Sequence, residues 1–285
     1  MKTILITGIN GYLGSHLARR LLLNYHVIGL EPSIKNLFRI NDLGLKVYPS
    51  SSESLESVFN AHDVDIIIHT ATLYGRNNES NCSIIHSNLI FPLELLQVAI
   101  PKKDTVFINT DTALDPFVSS YALTKNQFRG WLYFYRKSIQ VINVKLEHFY
   151  GPMNSKNNFI SNMIDRLKKN EPEIDLTLGE QERDFIFIED VVEAYRLIVD
   201  SCPFSQEYSE FQVASGNLIK IKDLMILLKE FIGSQSALNF GVVPYRENEL
   251  MRSKSDNTSL ISIGWTPKYS LEMGLRQTIE EEKSL

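Results

Sequence analysis

Residues Gly8-Ile9-Asn10-Gly11-Tyr12-Leu13-Gly14 form a G-x-x-G-x-x-G run between a short apolar stretch, Lys2–Thr7, and a segment with leucines at 13, 17 and 21. The four-residue leucine spacing predicts a helix over Tyr12–Leu23 with one apolar face, and the stretch before it predicts a strand. A strand that passes into a helix through three glycines leaves few folds open. The first glycines permit a tight turn and close backbone approach to a ligand, and the last lets the helix pack near the strand. The helix N-terminus then offers unpaired N–H groups and the favourable end of its dipole to phosphates. Glycines so spaced also suit an ordinary turn. Their place between strand and helix favours a dinucleotide pyrophosphate, with Gly8, Asn10, Gly11, Tyr12, Leu13 and Gly14 as its cradle.

The alternation continues through the first half. Further strands are predicted at His26–Leu30, Leu45–Tyr48, Asp65–Ala71, Thr105–Asn109 and Gln140–Leu146. Helices are predicted at Leu55–Ala61, at Ser83–Ile100 with an early interruption by Pro92, and at Ser120–Lys137. The serine cluster 50–57 reads as a loop leading into the second helix. Short apolar strands separated by helices imply a parallel sheet covered on both faces, a doubly wound α/β architecture. Lys222–Phe231, with Leu224, Leu227, Leu228 and Phe231 on a helical period, reads as a packing helix.

Composition narrows the classes. A chain of 285 residues, 44% hydrophobic, can bury one large core or two smaller ones. A formal charge of −5 argues against nucleic acid or a membrane surface as partner, although a local arginine or lysine cluster can still hold a phosphate. Cys82 and Cys202 form neither a disulfide framework nor a metal-ligand pattern, so no metal is expected and a reducing cytoplasm is the expected location. The apolar run at Ile4–Ile6 is too short for a signal-peptide core. No apolar run is expected to reach the roughly 20 residues of a membrane span.

Three further features carry chemistry. Glu31 ends the second strand, where a carboxylate accepts from ribose hydroxyls and disfavours a 2′-phosphate, pointing to NAD(H). Lys35 and Arg39 follow and could offset it, which leaves NADP(H) open. Tyr121-Ala122-Leu123-Thr124-Lys125 is a Y-x-x-x-K, with both side chains on one helix face. A free tyrosine has a pKa near ~10 and is a poor base at neutral pH. An adjacent ammonium is expected to lower it, so that the phenol exchanges a proton while hydride moves to or from a nicotinamide. Thr110 closes the fifth strand and could hydrogen-bond the reacting oxygen, or merely satisfy a backbone group.

Gly8, Gly11, Gly14, Thr110, Tyr121 and Lys125 together resemble the cofactor loop and catalytic triad of the extended short-chain dehydrogenase/reductases, a family of nucleotide-sugar epimerases, dehydratases and reductases. Other segments resemble the family in order: His69-Thr70-Ala71, Asn88, Tyr150-Gly151-Pro152, Gly179–Phe185 with Arg183, Asp190-Val191 and Gly264-Trp265-Thr266-Pro267. The resemblance spans essentially the whole chain. It implies a Rossmann domain over 1–150 with 184–204, and a smaller C-terminal α/β domain over 151–183 with 205–285 that binds the nucleotide sugar. It places Thr70, Ala71, Thr72 and Asn88 beside the cofactor and lets Lys125 also touch the nicotinamide ribose. The helices Ser83–Ile100 and Ser120–Lys137 resemble those of a four-helix homodimer interface, although Trp131, Tyr133, Phe134 and Tyr135 equally suit a core.

Departures narrow the subgroup. His148 stands where most relatives carry an asparagine that touches the nucleotide sugar, and Ser50 and Ser51 replace an acidic residue near the adenine. Lys145–Gly151, Asn109-Thr110-Asp111, Tyr74-Gly75-Arg76 and Glu247–Met251 are similar to the CDP-paratose and CDP-abequose synthases. That similarity implies reduction, with NADPH, of the 4-keto group of a CDP-linked deoxyhexose, in the making of surface-polysaccharide sugars. It makes Tyr74, Arg76, His148, Arg183, Arg246 and Glu249 candidates for the substrate side, the two later arginines for the diphosphate. Asp111 is a further catalytic candidate. In sugar 4,6-dehydratases an Asp-Glu pair follows the threonine, whereas here Asp111 is followed by Thr112, which disfavours dehydration. A 4-epimerase with tightly held NAD uses the same triad and stays open, as does a cofactor-binding protein that has lost catalysis.

Overall fold

A computed structural model of the protein describes residues 1–102 and 104–282. The chain forms two compact units: Met1–Lys145 with Val192–Phe211, and Leu146–Val191 with Gln212–Leu285. The divisions expected at 150, 184 and 204 therefore lie elsewhere. All three crossings fall inside regular elements, the strands Gln140–Leu146 and Tyr208–Val213 and the helix Ile188–Asp200. No turn residue marks them in the sequence.

The first unit is built on a seven-stranded sheet in the order Lys46–Pro49, His26–Glu31, Thr3–Thr7, Ile66–His69, Val106–Thr112, Gln140–Leu146, Tyr208–Val213. The first five strands pair in parallel. Ile4, Leu5, Ile6, Ile66, Ile67 and Ile68 are buried on both faces of the sheet, as a helix-covered parallel sheet requires. The strand order reverses direction at Thr3–Thr7, whose Thr7 pairs with His69. Ligands of such sheets bind outside the carboxyl ends of the strands at that reversal. The fold is the doubly wound, Rossmann-like α/β arrangement expected.

Two helices differ instructively from their predicted form. The serine cluster is not a loop: Ser51 accepts from the Ser54 amide at 3.4 Å and caps a helix over Ser52–Ala61. Pro92 does not interrupt its helix. Ser80 caps Asn81–Ile85, a π-helical turn follows over His86–Ile90, and Phe91–Ala99 continues the rod. At the turn the Phe91 amide reaches back to the His86 carbonyl, five residues away. Pro92 then sits in the first turn of the restarted helix, where its missing N–H costs nothing. The whole rod, Asn81–Ala99, is 19 residues long and apolar enough to cross a membrane by length and composition only; Asn81, His86, Asn88, Glu94 and Gln97 break it, so it offers no continuous apolar run. Its Phe91, Leu95, Leu96 and Ala99 belong to the core cluster with Leu55, Phe107, Phe128 and Leu132.

The second unit has a three-stranded sheet, with Glu182–Phe187 between Leu218–Lys220 (antiparallel) and His148–Tyr150 (parallel). A parallel pair, Glu173–Leu176 with Ala237–Phe240, forms a second small sheet. Helices Phe159–Lys168, Ile221–Ile232 and Leu271–Glu281 pack beside them. The middle one buries Leu224, Met225 and Leu228, in keeping with a packing role.

Candidate active site

The glycine loop is fixed by sterics. Gly8 has φ +66°, and a Cβ there would lie 2.8 Å from the Ala71 Cα. A Cβ on Gly14 would meet the Gly8 carbonyl oxygen at 2.2 Å. Gly11 caps the helix Tyr12–Leu21 without any side-chain hydrogen bond, so the first-turn amides keep their donors for a ligand. This cradle fits a dinucleotide pyrophosphate. Glu31 accepts from the Asn10 amide, and burial raises its carboxyl above the ordinary value against that bond. The Asn10 side chain donates to the Asn36 carbonyl at 3.1 Å and accepts from the Arg39 amide at 3.0 Å. The Arg39 guanidinium lies 5.6 Å from the centre of the Tyr12 ring. Glu31 and Arg39 are thus both tied to Asn10 of the cradle, the one through its carboxylate and the other through its backbone amide.

The next strand end is braced. The Thr70 hydroxyl donates to the Thr7 carbonyl at 2.7 Å, and the Ala71 amide to the Thr7 hydroxyl at 3.2 Å. His69, fully buried, lies 2.8 Å from that hydroxyl, and burial holds its imidazole neutral. Asn88 projects from the π-turn. Its carbonyl oxygen accepts from the Thr72 hydroxyl at 3.0 Å and the Leu73 amide at 2.8 Å. Its amide donates to the Leu73 carbonyl at 2.9 Å and the Thr124 hydroxyl at 3.2 Å. With both amide hydrogens committed, Asn88 shapes the loop at Thr72 and Leu73.

Thr110, Tyr121 and Lys125 lie on the strand Val106–Thr112 and the helix Ser120–Tyr135. That helix starts cleanly because Ser119 accepts from the Ala122 amide at 3.1 Å. The Thr110 hydroxyl is paired with the buried Tyr195 hydroxyl at 2.7 Å. Beside Tyr121 stand the Tyr74 ring, 4.8 Å away between centroids, and Arg76, whose guanidinium lies 4.7 Å from the Tyr74 ring. Burial pushes the Tyr121 phenol well above its ordinary value, with Tyr74 and Asp111 adding to the rise and Thr112 and Arg76 opposing it. The expected depression by Lys125 is not among these influences. Lys125 is 2% exposed, and its burial pulls the ammonium down to about 8, so its own charge is weakly held.

Asp111 is not an available acid. One carboxylate oxygen accepts from Arg129 Nε at 2.5 Å and Asn143 Nδ2 at 2.9 Å, and the other from the Thr112 amide at 2.8 Å. At 1% exposure it is buried with both oxygens hydrogen-bonded. This corrects its place among the groups acting on substrate.

In the second unit, Arg183 is 8% exposed, donates to Glu249, and has Glu147 and Arg246 in its electrostatic surroundings. Arg246 is exposed. His148 leaves Nδ1 buried without a hydrogen-bond partner, 3.6 Å from the Glu147 carboxylate, and its ring lies against Phe185. The other motif residues here are braces. Asp190 accepts from the Lys268 and Tyr269 amides at 2.8 and 3.0 Å, while its carbonyl takes the Trp265 indole N–H at 3.2 Å. The Tyr150 hydroxyl donates to the Leu271 carbonyl at 3.0 Å. Asp184 accepts from the Ser215 and Gly216 amides, both at 2.8 Å.

The profile of the NAD dependent epimerase/dehydratase family matches residues 4–214. The chain belongs to that family. As a member it is 33% identical to the CDP-abequose synthase of Salmonella typhimurium, with 97% of each chain covered, and 30% identical to that of Salmonella muenchen. Its fold is shared with the UDP-glucose 4-epimerase of Thermotoga maritima (TM-score 0.88, 23% identity, 99% of each chain covered). It is shared equally with the UDP-glucuronic acid 4-epimerase of Bacillus cereus, solved with UDP-glucuronic acid and NAD (TM-score 0.88, 21% identity, 99% of each chain). This epimerase/dehydratase family member is thus a nucleotide-sugar-modifying enzyme with an NAD-binding fold. Sequence reasoning about it missed Thr112, Arg129, Asn143 and Tyr195. Of these only Arg129 carried a local signal, standing four residues after Lys125 on the same helix row.

Proposed function

We propose that the protein reduces the 4-keto group of a CDP-linked deoxyhexose with NAD(H), leaving a hydroxyl at that carbon. The observation that carries this is the residue set itself: Thr110 on its strand and Tyr121 and Lys125 on one helix row can deliver a single proton, while Asp111 beside them is tied to Arg129, Asn143 and the Thr112 amide. The locked Asp111, followed by Thr112, supports reduction over dehydration. Full-length similarity to CDP-abequose synthases supports the CDP-linked class. When bound, the nicotinamide supplies the hydride. Tyr121 gives its proton to the developing alkoxide, and the Lys125 ammonium stabilises the phenolate left behind. Gly8, Gly11 and Gly14 admit the pyrophosphate, and Glu31 receives the adenosine ribose hydroxyls, which favours NAD(H) over NADP(H). Arg183 and Arg246 receive the diphosphate of the substrate.

The test is absorbance at 340 nm with CDP- and UDP-linked 4-keto sugars. Stoichiometric consumption of NADH with a CDP-linked 4-keto sugar is expected. Interconversion of two nucleotide hexoses without added cofactor would replace the reductase with an epimerase, and cofactor binding without any turnover would leave a binding protein. We also propose a homodimer, supported by the exposed Ile85, Ile90, Trp131 and Phe134 on the two helices named for it. Sedimentation equilibrium at the mass of one chain would refute it.

A further inference from the structure

Tyr121, Lys125 and Arg129 occupy successive positions four apart on one helix, and thus one row on its surface. The first two belong to the proposed chemistry. The third reaches the neighbouring strand end. Arg129 binds Asp111 through Nε at 2.5 Å and the Thr112 carbonyl through Nη2 at 3.4 Å. Asn143, fully buried, completes the clamp, donating to Asp111 at 2.9 Å and accepting from Asn109 Nδ2 at 2.8 Å. Asn109, Asp111 and Thr112 are therefore all tied down around Thr110. We propose that Arg129 is a positioning residue, holding the strand end that carries Thr110 at a fixed distance from the helix that carries Tyr121 and Lys125. This rests on the proposed function only in taking Tyr121 and Lys125 as the proton-transfer pair.

The same ion pair sets the local field. Asp111 faces Arg129, Lys125, Tyr121, Tyr195 and Tyr208. Lys125 faces Asp111, which favours its ammonium, Arg129, which disfavours it, and the neutral His69. Tyr121 faces Tyr74, Arg76 and Asp111. Removing Arg129 leaves Asp111 uncompensated and raises the pKa of Lys125. Removing the charge of Asp111 lowers it. The two substitutions thus have opposite signs, which a merely structural role does not produce.

The experiment uses the full-length protein as R129M, R129K, D111N and the double variant. Steady-state kinetics are read across pH, together with the pH dependence of NADH affinity by nicotinamide fluorescence. In R129M kcat is expected to fall about 10²-fold, the order of loss when reacting groups are displaced by about 1 Å, with little change in KM. The basic limb near Lys125 should move upward in R129M and downward in D111N. R129K should restore most of kcat, and the double variant should exceed R129M, because no buried charge is left unpaired. A limb unmoved in both R129M and D111N overturns the proposal, as does wild-type kcat in R129M. If R129M does not fold, N143A, which removes the other side-chain donor to Asp111, takes its place: a fall in kcat with KM kept supports the clamp, and wild-type kcat overturns it. The NADH-affinity limb needs no sugar, so failure of the reductase assignment stays distinguishable from failure of this one.

Discussion

The two units use acidic motif residues in opposite ways. In the first, Glu31 keeps its carboxylate at the rim of the glycine cradle, half-buried and bonded to a single loop amide. In the second, Asp184 and Asp190 are buried and each accepts from two backbone amides. Asp184 and Asp190 stand in segments that resemble family motifs and Glu31 at the end of a strand, and nothing in the sequence says how each carboxylate is held. Their surroundings separate them. A carboxylate with both oxygens spent on amides fixes a chain reversal, whereas one with spare lone pairs at a strand end can still meet a ligand. A motif residue is therefore a statement about geometry first and about chemistry only where hydrogen-bonding capacity is left over.

That contrast can be broken by substitution. The largest effect is expected from Tyr121→Phe, which removes the proton donor and nothing else. Turnover should fall by roughly 10²- to 10⁴-fold while NADH affinity and the melting temperature stay put. Near-normal turnover would end the assignment of the helix row as catalytic. Next is Gly14→Ala, whose Cβ would meet the Gly8 carbonyl oxygen at 2.2 Å. It should cost about 1–3 kcal/mol of stability and abolish cofactor binding, as measured by denaturant unfolding and fluorescence titration.

Asp190→Ala tests the other side of the comparison. Two donors lose their acceptor, and stability should drop by about 1–3 kcal/mol, with NADH affinity per folded molecule unchanged. If affinity falls instead, the residue does more than brace. Turnover should also decline as pH rises through about 8, because Lys125, depressed to that value by burial, is neutral above it and no longer stabilises the phenolate. A rate flat to pH 10 would show that the charge of Lys125 is not used. The smallest change belongs to Glu31→Ala. Loss of one charged acceptor should weaken NADH binding about tenfold and improve NADPH binding. Equal affinities before and after would mean that Arg39, over Tyr12, governs the adenine side.

The sheet and the cofactor loop were legible because their causes are local. Ile4–Ile6 and Ile66–Ile68 announce buried strands, and Gly8, Gly11 and Gly14 announce a turn that tolerates no Cβ. The row Tyr121–Lys125 was legible only because its spacing follows the glycine loop and the strand–helix alternation, since the same spacing is common by chance. What escaped is set by partners distant in sequence. Asp111 reads as an acid until Arg129 and Asn143 are brought to it, 18 and 32 residues away along the chain. Thr110 reads as a free hydroxyl until Tyr195 arrives from 85 residues away. The direction of the Tyr121 shift was missed because burial, with Tyr74 and Asp111 adding to it, governs the phenol, and none of these is legible from the spacing to Lys125. The unit boundaries escaped because they pass through hydrogen-bonded elements and not through loops.

The π-turn at His86–Ile90 has one more consequence, for comparison between homologues. A helix with one surplus residue in a single turn behaves as two phased segments whose faces are set separately. Upstream, Asn81–Ile85 keeps its own phase; downstream, Phe91–Ala99 keeps the phase that puts Phe91, Leu95 and Leu96 into the core. Deleting one residue between 86 and 90 would turn the upstream segment by about 100° against the downstream one and carry Asn88 away from Thr72 and Thr124. Relatives that lack the surplus residue should show a one-residue gap here, and with it a differently held loop at 72–73.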